Sequence, residues 1–237
     1  MKTYSPIFII TLAFAVILSL AEPGFSAQVA RVTYLKGDVF VGPTQKGPWQ
    51  VVKKGVSIAE GKFIKTGDTG VVELILPDKS TIRLSIGSIF ELSDVHFPEE
   101  GPPKFSAKLF LGRMWAKVSR VVPEKNGTFQ AHIKTAVIGV RGTVYNLDVA
   151  ADKSADVSVF KGIVGVGPPL FVKGAPKEEI AWPMEVTEKK WEEIILKKLQ
   201  RLHIGADGKP GKPVSFDPVK EKDEWILWNQ ERDTHPT

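Results

Sequence analysis

TAVIGVRGTVYNLD, residues Thr135 to Asp148, sets two β-type runs on either side of a Gly-x-x-Gly-Thr turn. Gly139 and Gly142 remove side chains where a backbone turns or is approached closely, and Val137, Ile138, Val140, Val144 and Tyr145 supply the bulk of buried strands. The stretch is expected to form a tight corner in a sheet, with Gly139, Gly142 and Thr143 structural. Thr135 and Thr143 fit turn-capping hydroxyls better than nucleophiles, because no base stands at a recognisable spacing from them. For Arg141 two roles stay open. Its five-donor fork suits hydrogen bonds to exposed carbonyls at the corner, or, with Lys134, contact with an acidic partner.

Outward from this stretch the same grammar repeats. Val29 to Val41 alternates around Gly37-Asp38, Trp49 to Val52 closes at Gly55, and Phe63-Ile64 leads into Thr66-Gly67-Asp68. Val71 to Leu76 ends at Pro77-Asp78; Ser80 to Leu84, Ile86 to Leu92 and Leu109 to Val118 follow. Turn signals every 8 to 12 residues or so are the spacing of a sandwich, barrel or β-solenoid. Gly, Pro and Thr interrupt windows long enough for a helix, and β-branched residues fill the rest. His96 to Lys104, HFPEEGPPK, reads as an exposed excursion between strands.

At the N-terminus Lys2 precedes an apolar run, Ile7 to Leu20, followed by Glu22-Pro23-Gly24. About 14 residues is short for a membrane span of roughly 20 and suits a signal peptide, assigned to residues 1–27; an uncleaved anchor is the alternative. With no cysteine, disulfides, thiolate nucleophiles and thiolate metal sites drop out, and so does a lipid-modified N-terminal Cys. A periplasmic or secreted protein is expected.

The net charge of +5 is uneven: Gln28 to Leu147 holds 17 basic against 10 acidic residues, and Phe171 to Thr237 holds 12 against 13. The β-type half is therefore the basic one, and for an exported chain its partners would be an envelope protein or an anionic glycan or lipid surface. Nucleic acid is not expected, since the basic residues form no dense cluster.

Gly37-Asp38-Val39, Trp49, Gly55, FIKTGDTGVVELILPDKSTIRL, LFLGRMWAKV and IKTAVIGVRGTVYNLDV together resemble a FecR domain, the family named after the ferric-citrate regulator. The box T-x-A-x-x-G-V-R-G-T is similar to Thr135 to Thr143, except that Ala136 follows the Thr directly, and Lys79 stands where the family's Asp-Gly-Ser-like turn usually has Gly. The resemblance runs from about Val29 to Gly167. It implies a mainly β module, solenoid-like or sandwich-like, of the kind found in periplasmic signalling regulators. A sigma-factor-binding region ahead of a membrane span is not seen in this sequence, so transmembrane sigma control by this chain alone is not expected.

The β-domain is assigned to residues 28–170 and a C-terminal extension to 171–237. In the extension Trp191, Ile194, Ile195, Leu199 and Leu202 fall near one helical face, Thr187 suits an N-cap and Gly205 a stop, which predicts an amphipathic helix over about 187–203. If that helix packs on its own domain, Trp191 would be its largest buried group; binding to a membrane surface or a second protein is the alternative. The tail, DEWILWNQERD, carries Trp225 and Trp228, which need somewhere to bury, and is expected to dock on the β-domain with Glu231, Arg232 and Asp233 at the surface; service as a ligand for a partner groove is the alternative.

Catalytic patterns are sparse. No Gly-x-Ser-x-Gly elbow occurs, and His96, His132, His203 and His235 have no metal-ligand spacing. GADGKPGK, from Gly205, has the wrong spacing and no hydroxyl residue for a phosphate loop and reads as a turn. No cofactor is called for. The expected function is a noncatalytic exported interaction or sensing module; an accessory subunit of an envelope transport system, or an enzyme whose site a pocket around His132, Glu73 or Asp94 would reveal, is the alternative.

Overall fold

The structure, a computed structural model, describes residues 30–98, 100–119, 128–168 and 194–234. The expected signal peptide, Trp191, and the start of the predicted helix lie outside these residues.

Short strands separated by tight turns come first: β1 (Ala30–Lys36), β2 (Val39–Gly42), β3 (Gln50–Val51), β4 (Ser57–Ile58), β5 (Lys62–Thr66), β6 (Val71–Ile75), β7 (Thr81–Leu84) and β8 (Ile89–His96). Then come β9 (Lys104–Lys117), β10 (Thr128–His132), β11 (Val137–Val149) and β12 (Ala155–Gly167). The chain ends with β13 (Ile194–Leu196), β14 (Gln200–Ile204), β15 (Val214–Ser215), a short helix α1 (Pro218–Glu221) and helix α2 (Glu224–Thr234).

Side chains build the turns between these strands. The Asp78 carboxylate accepts from the Ser80 amide at 2.9 Å and the Ser80 hydroxyl at 2.7 Å. That folds Lys79 into the left-handed region at φ 68°. Buried Thr66 donates its hydroxyl to the Ser85 carbonyl at 2.6 Å and accepts from the Ser88 amide at 2.7 Å, tying the turn after β5 to the turn before β8.

Two half-sheets share the three long strands. One is ordered β3-β2-β5-β8-β9-β10-β11-β12-β13, using the first part of β9, the first part of β11 and the last part of β12. The other is ordered β4-β1-β6-β7-β9-β11-β12-β14-β15. Strands that bend from one sheet into another enclose a common core between them. Here that core is one apolar cluster drawing Ile64 and Phe90 from the first half-sheet and Leu74, Ile82 and Leu84 from the second.

The Gly-x-x-Gly-Thr stretch is where β11 changes partner. Residues 137–139 pair with β10 and residues 144–149 with β9, with a register shift between Arg141 and Val144. Gly142 has φ 56°, which L side chains adopt at a cost. Opposite it, Gly162 has φ 83°, and a Cβ there would lie 2.7 Å from the Gly142 carbonyl oxygen. Thr143, fully buried, donates to the Ile163 carbonyl at 3.0 Å and seals the bulge. The expected corner is thus a β-bulge within a continuous strand.

The predicted helix over about 187–203 is corrected by the structure. Ile194–Leu196 and Gln200–Ile204 are strands, laid antiparallel along the two ends of β12. A turn with Leu199 at φ 61° joins them. The open edge of β12 satisfies their backbone groups, and alternation puts Leu196, Leu202 and Ile204 in the core. Gly205 opens the following turn rather than stopping a helix, accepting from Gly208 and donating to Lys209. The helix of the extension is α2, in the tail.

Candidate interaction face

Rows of cross-strand partners run across the second half-sheet, and alternate rows face opposite ways. Leu35, Val72, Leu84, Met114, Leu147, Val157 and Leu202 form one row on β1, β6, β7, β9, β11, β12 and β14; it faces inward. The next row outward is Tyr34, Glu73, Arg83, Trp115, Asn146, Ser158 and Arg201. Such residues would ordinarily be solvated. Yet Trp115 is 1% exposed and Arg83 3%, because α2 lies over them.

Asp223 begins this helix and joins it to the sheet. Its Oδ1 accepts from the Ile226 amide at 3.1 Å as an N-cap, while its carboxylate takes both Arg113 terminal nitrogens at 3.1 and 2.7 Å. In the first turn of α2 the Trp225 indole donates to Asn146 at 2.9 Å. Ile226 packs with Trp115 and Phe160 in a small cluster that Val144, Phe216 and Trp225 flank. Trp228 lies 5.8 Å from the Tyr34 ring and stacks on Trp225 at 5.5 Å.

The last turn of α2 carries the densest chemistry. Glu73 accepts from Arg83 Nε at 2.6 Å, from Arg232 Nε at 2.8 Å and from the Thr33 hydroxyl at 2.7 Å. Burial raises this carboxyl, but the hydrogen bonds from Arg232, Arg83 and Thr33 outweigh it and bring its pKa down to about 2. Arg83 reaches on to Asp233 at 2.8 Å and to the Asn229 side chain at 3.2 Å, and the Trp115 indole donates to Asp233 at 3.1 Å. Arg232 also sits 4.2 Å over the Tyr34 ring. The expectation that Arg232 and Asp233 stay at the surface is therefore corrected: both turn inward and complete the charge balance of Glu73 and Arg83.

A neighbouring outward row continues the pattern with Arg113, Asp148, Asp156 and His203. Arg113 Nε lies 3.1 Å from Asp148 Oδ2, an ion-pair contact without hydrogen-bond alignment. Burial holds Asp148 above the usual carboxylate range, Arg113 opposes this, and Asp156 and Asp223 add to it. At the end of the first row Arg201 pairs with Glu221 at 2.7 Å and donates to the Ser158 hydroxyl oxygen at 2.7 Å.

Against this geometry, residues 62–165 match the family model described as FecR protein. Those residues form a FecR domain. No curated protein sequence matches the chain. Two crystal structures, at 1.65 and 2.50 Å resolution, of a candidate anti-sigma factor from Parabacteroides distasonis ATCC 8503 are similar at 17% identity and a TM-score of 0.48 each. The similarity covers 69% and 67% of this chain, and the chain spans 64% and 62% of theirs, less than two thirds of their length.

Glu73, Arg83, Trp115, Asn146 and Ser158 all belong to the FecR domain, whereas α2 and Arg201 come from beyond it. β1 to β4 precede the matched residues but pair within the same half-sheets. Of the sequence-selected residues of the FecR domain, Gly142 and Thr143 lie at the bulge, Gly139 earlier on β11, and exposed Lys134 in the turn before that strand. Arg141 pairs with Ile163 through its backbone. Thr135, expected to cap a turn, is buried, and its hydroxyl has no hydrogen-bond partner among the described residues. Trp225 and Trp228 are on α2, across the sheet face.

The residues proposed for an enzyme pocket do not converge. The Glu73 carboxylate is occupied by Arg83, Arg232 and Thr33. His132 stands elsewhere, its pKa lowered by burial and by Lys108, which Glu91 partly offsets; Asp94 pairs through its backbone with Ser106. Among the described residues no group of three or more His, Asp or Glu is placed to hold a metal. Sequence reasoning missed Glu73 and Arg83 as an interacting pair. The available signal was two charges on facing apolar strands joined by a tight turn, VVELI and TIRL.

Proposed function

We propose that this chain is a noncatalytic regulatory or sensing module, exported to the cell envelope, whose FecR domain binds an envelope protein or an anionic glycan or lipid surface. The observation that carries the reading is the FecR domain over residues 62–165. The geometry supports it: the charged and aromatic groups of the outer face that lie under α2 make recognition contacts with a helix, which is binding chemistry. No helix among the described residues is long and apolar enough to cross a membrane.

Lys134, in the turn before β11, and Arg141, at the start of the bulge, both in the basic half of the chain, are proposed as contacts to the acidic partner. The test is a pull-down from cell envelopes with the wild-type chain and with Arg141→Ala and Lys134→Ala variants. Capture of a protein or polysaccharide that both variants reduce, at unchanged melting temperature, supports the reading. Capture of nothing by the wild-type chain overturns it.

A further inference from the structure

We propose that the outer row Tyr34-Glu73-Arg83-Trp115-Asn146 is a helix-docking site, that α2 is its resident occupant, and that a helix presented by a partner protein takes its place. The proposal rests on reading the chain as a binding module and names the surface and the partner's chemistry.

Three observations make α2 separable. Its apolar contacts form their own small cluster around Trp115, Phe160 and Ile226, and no residue of α2 belongs to the main core. Withdrawing it therefore uncovers the small Trp115–Phe160 apolar patch beside polar groups, and leaves the inward rows packed. The segment before it is lightly held: α1 buries no residue, its tie to the sheet is the exposed Arg201–Glu221 pair, and Lys222 takes a left-handed φ of 50°. The contacts are also remote in sequence, Arg113 with Asp223 being 110 residues apart and Glu73 with Arg232 159. No strand has to be unthreaded for the helix to leave.

The face also states what it accepts. Arg113 takes an acidic N-cap, Asn146 an indole N–H, and the cleft beside Trp115 an aliphatic side chain one position later. Tyr34 meets a second aromatic one turn on, its ring tilted against it, and Glu73 with Arg83 takes an Arg-Asp pair at the C-terminal end. The incoming helix must therefore be short and amphipathic, with an acidic cap, two aromatic residues three apart and a closing Arg-Asp. Charge-assisted bonds at both ends fix its direction. A tethered helix competes at an effective concentration in the millimolar range, so the site stays closed to weak ligands and opens to a helix that binds more tightly or is delivered alongside a second contact.

The experiment uses the full chain with a specific protease site inserted within Pro218–Lys222, and a fluorescein-labelled peptide of residues Asp223 to Thr234 as probe. After cleavage we expect saturable binding by fluorescence anisotropy, competed by unlabelled peptide, with the uncut chain binding at least about ten-fold more weakly. A peptide carrying Arg232→Gln and Asp233→Asn should bind about ten-fold or more weakly than the wild-type peptide. Three results overturn the proposal: no saturable binding while circular dichroism shows the sheet intact, equal binding of the altered peptide, or unfolding of the sheet on cleavage. Dimerisation of the uncut chain that the peptide dissolves would make a second copy the occupant and overturn the assignment to a separate partner. Because no envelope fraction is used, failure here leaves the pull-down result unaffected.

Discussion

Lys79 holds the left-handed turn position that glycine occupies without strain, at φ 68°. Lys79→Gly is expected to raise stability by up to about 1 kcal/mol, read from the urea midpoint, since relief of the left-handed penalty outweighs glycine's greater unfolded entropy. At Gly142 the opposite holds. A valine at φ 56° meets a penalty for β-branched bulk beside the Gly162 contact, so Gly142→Val should prevent cooperative folding, visible as loss of the thermal transition. Glu73 makes a third case. Glu73→Ala removes the carboxylate that Arg83 and Arg232 share and leaves both guanidiniums with Asp233 as the remaining acid of the network, which costs about 3 kcal/mol. The pH dependence follows from the same group, whose pKa is lowered from 4.5 to about 2 in the folded chain. A depressed folded pKa contributes stability that is complete above about 4.5 and is lost as pH falls towards 2, worth on the order of 3 kcal/mol. Urea melts of Glu73→Gln should be much flatter over that window than those of the wild-type chain; parallel curves would contradict the assignment.

At the scale of elements, α2 shows how a helix with little apolar surface is held. Only Ile226 and Asn229 are fully buried, with Trp225 and Trp228 half-buried, so its place depends on hydrogen bonds at both ends as well as on area removed from water. Asp223→Ala removes a cap and the Arg113 pair together and should loosen α2 by about 1 to 2 kcal/mol. Tryptophan fluorescence should then report α2 detaching before the far-UV signal of the sheet is lost; a single coincident transition would mean that helix and sheet are one unit. The segment from Ile194 to Ile204 teaches a different lesson. Its apolar spacing fits a helical face and also fits strand alternation, Ile194 with Leu196 and Leu202 with Ile204. Periodicity alone does not separate these for short apolar runs. The edge of β12 did, by supplying partners for both backbones.

For the whole molecule, the consequence of β9, β11 and β12 running through both half-sheets is mechanical coupling around one core. Neither half-sheet retains its pairing if the shared strands leave. Scanning calorimetry of the sheet transition should give one peak with calorimetric and van't Hoff enthalpies in agreement, and two resolved sheet transitions would refute the shared-strand account. The strands themselves were legible in the sequence, because alternation, glycine turns and hydroxyl or Asx turns act over a few residues: the corner at Gly142, the turn at Asp78-Lys79-Ser80 and the docking of Trp225 and Trp228 all follow from local chemistry. The outer face was not legible. Its members come from strands far apart in the chain, and the helix that covers them lies up to 159 residues away. What the sequence by itself determined is a β-rich FecR domain with an aromatic tail in need of burial. Only the tertiary structure decided that Ile194 to Ile204 completes the sheet and that Arg232 and Asp233 turn inward, because an open strand edge and a buried Glu73-Arg83 pair exist only once the strands have assembled.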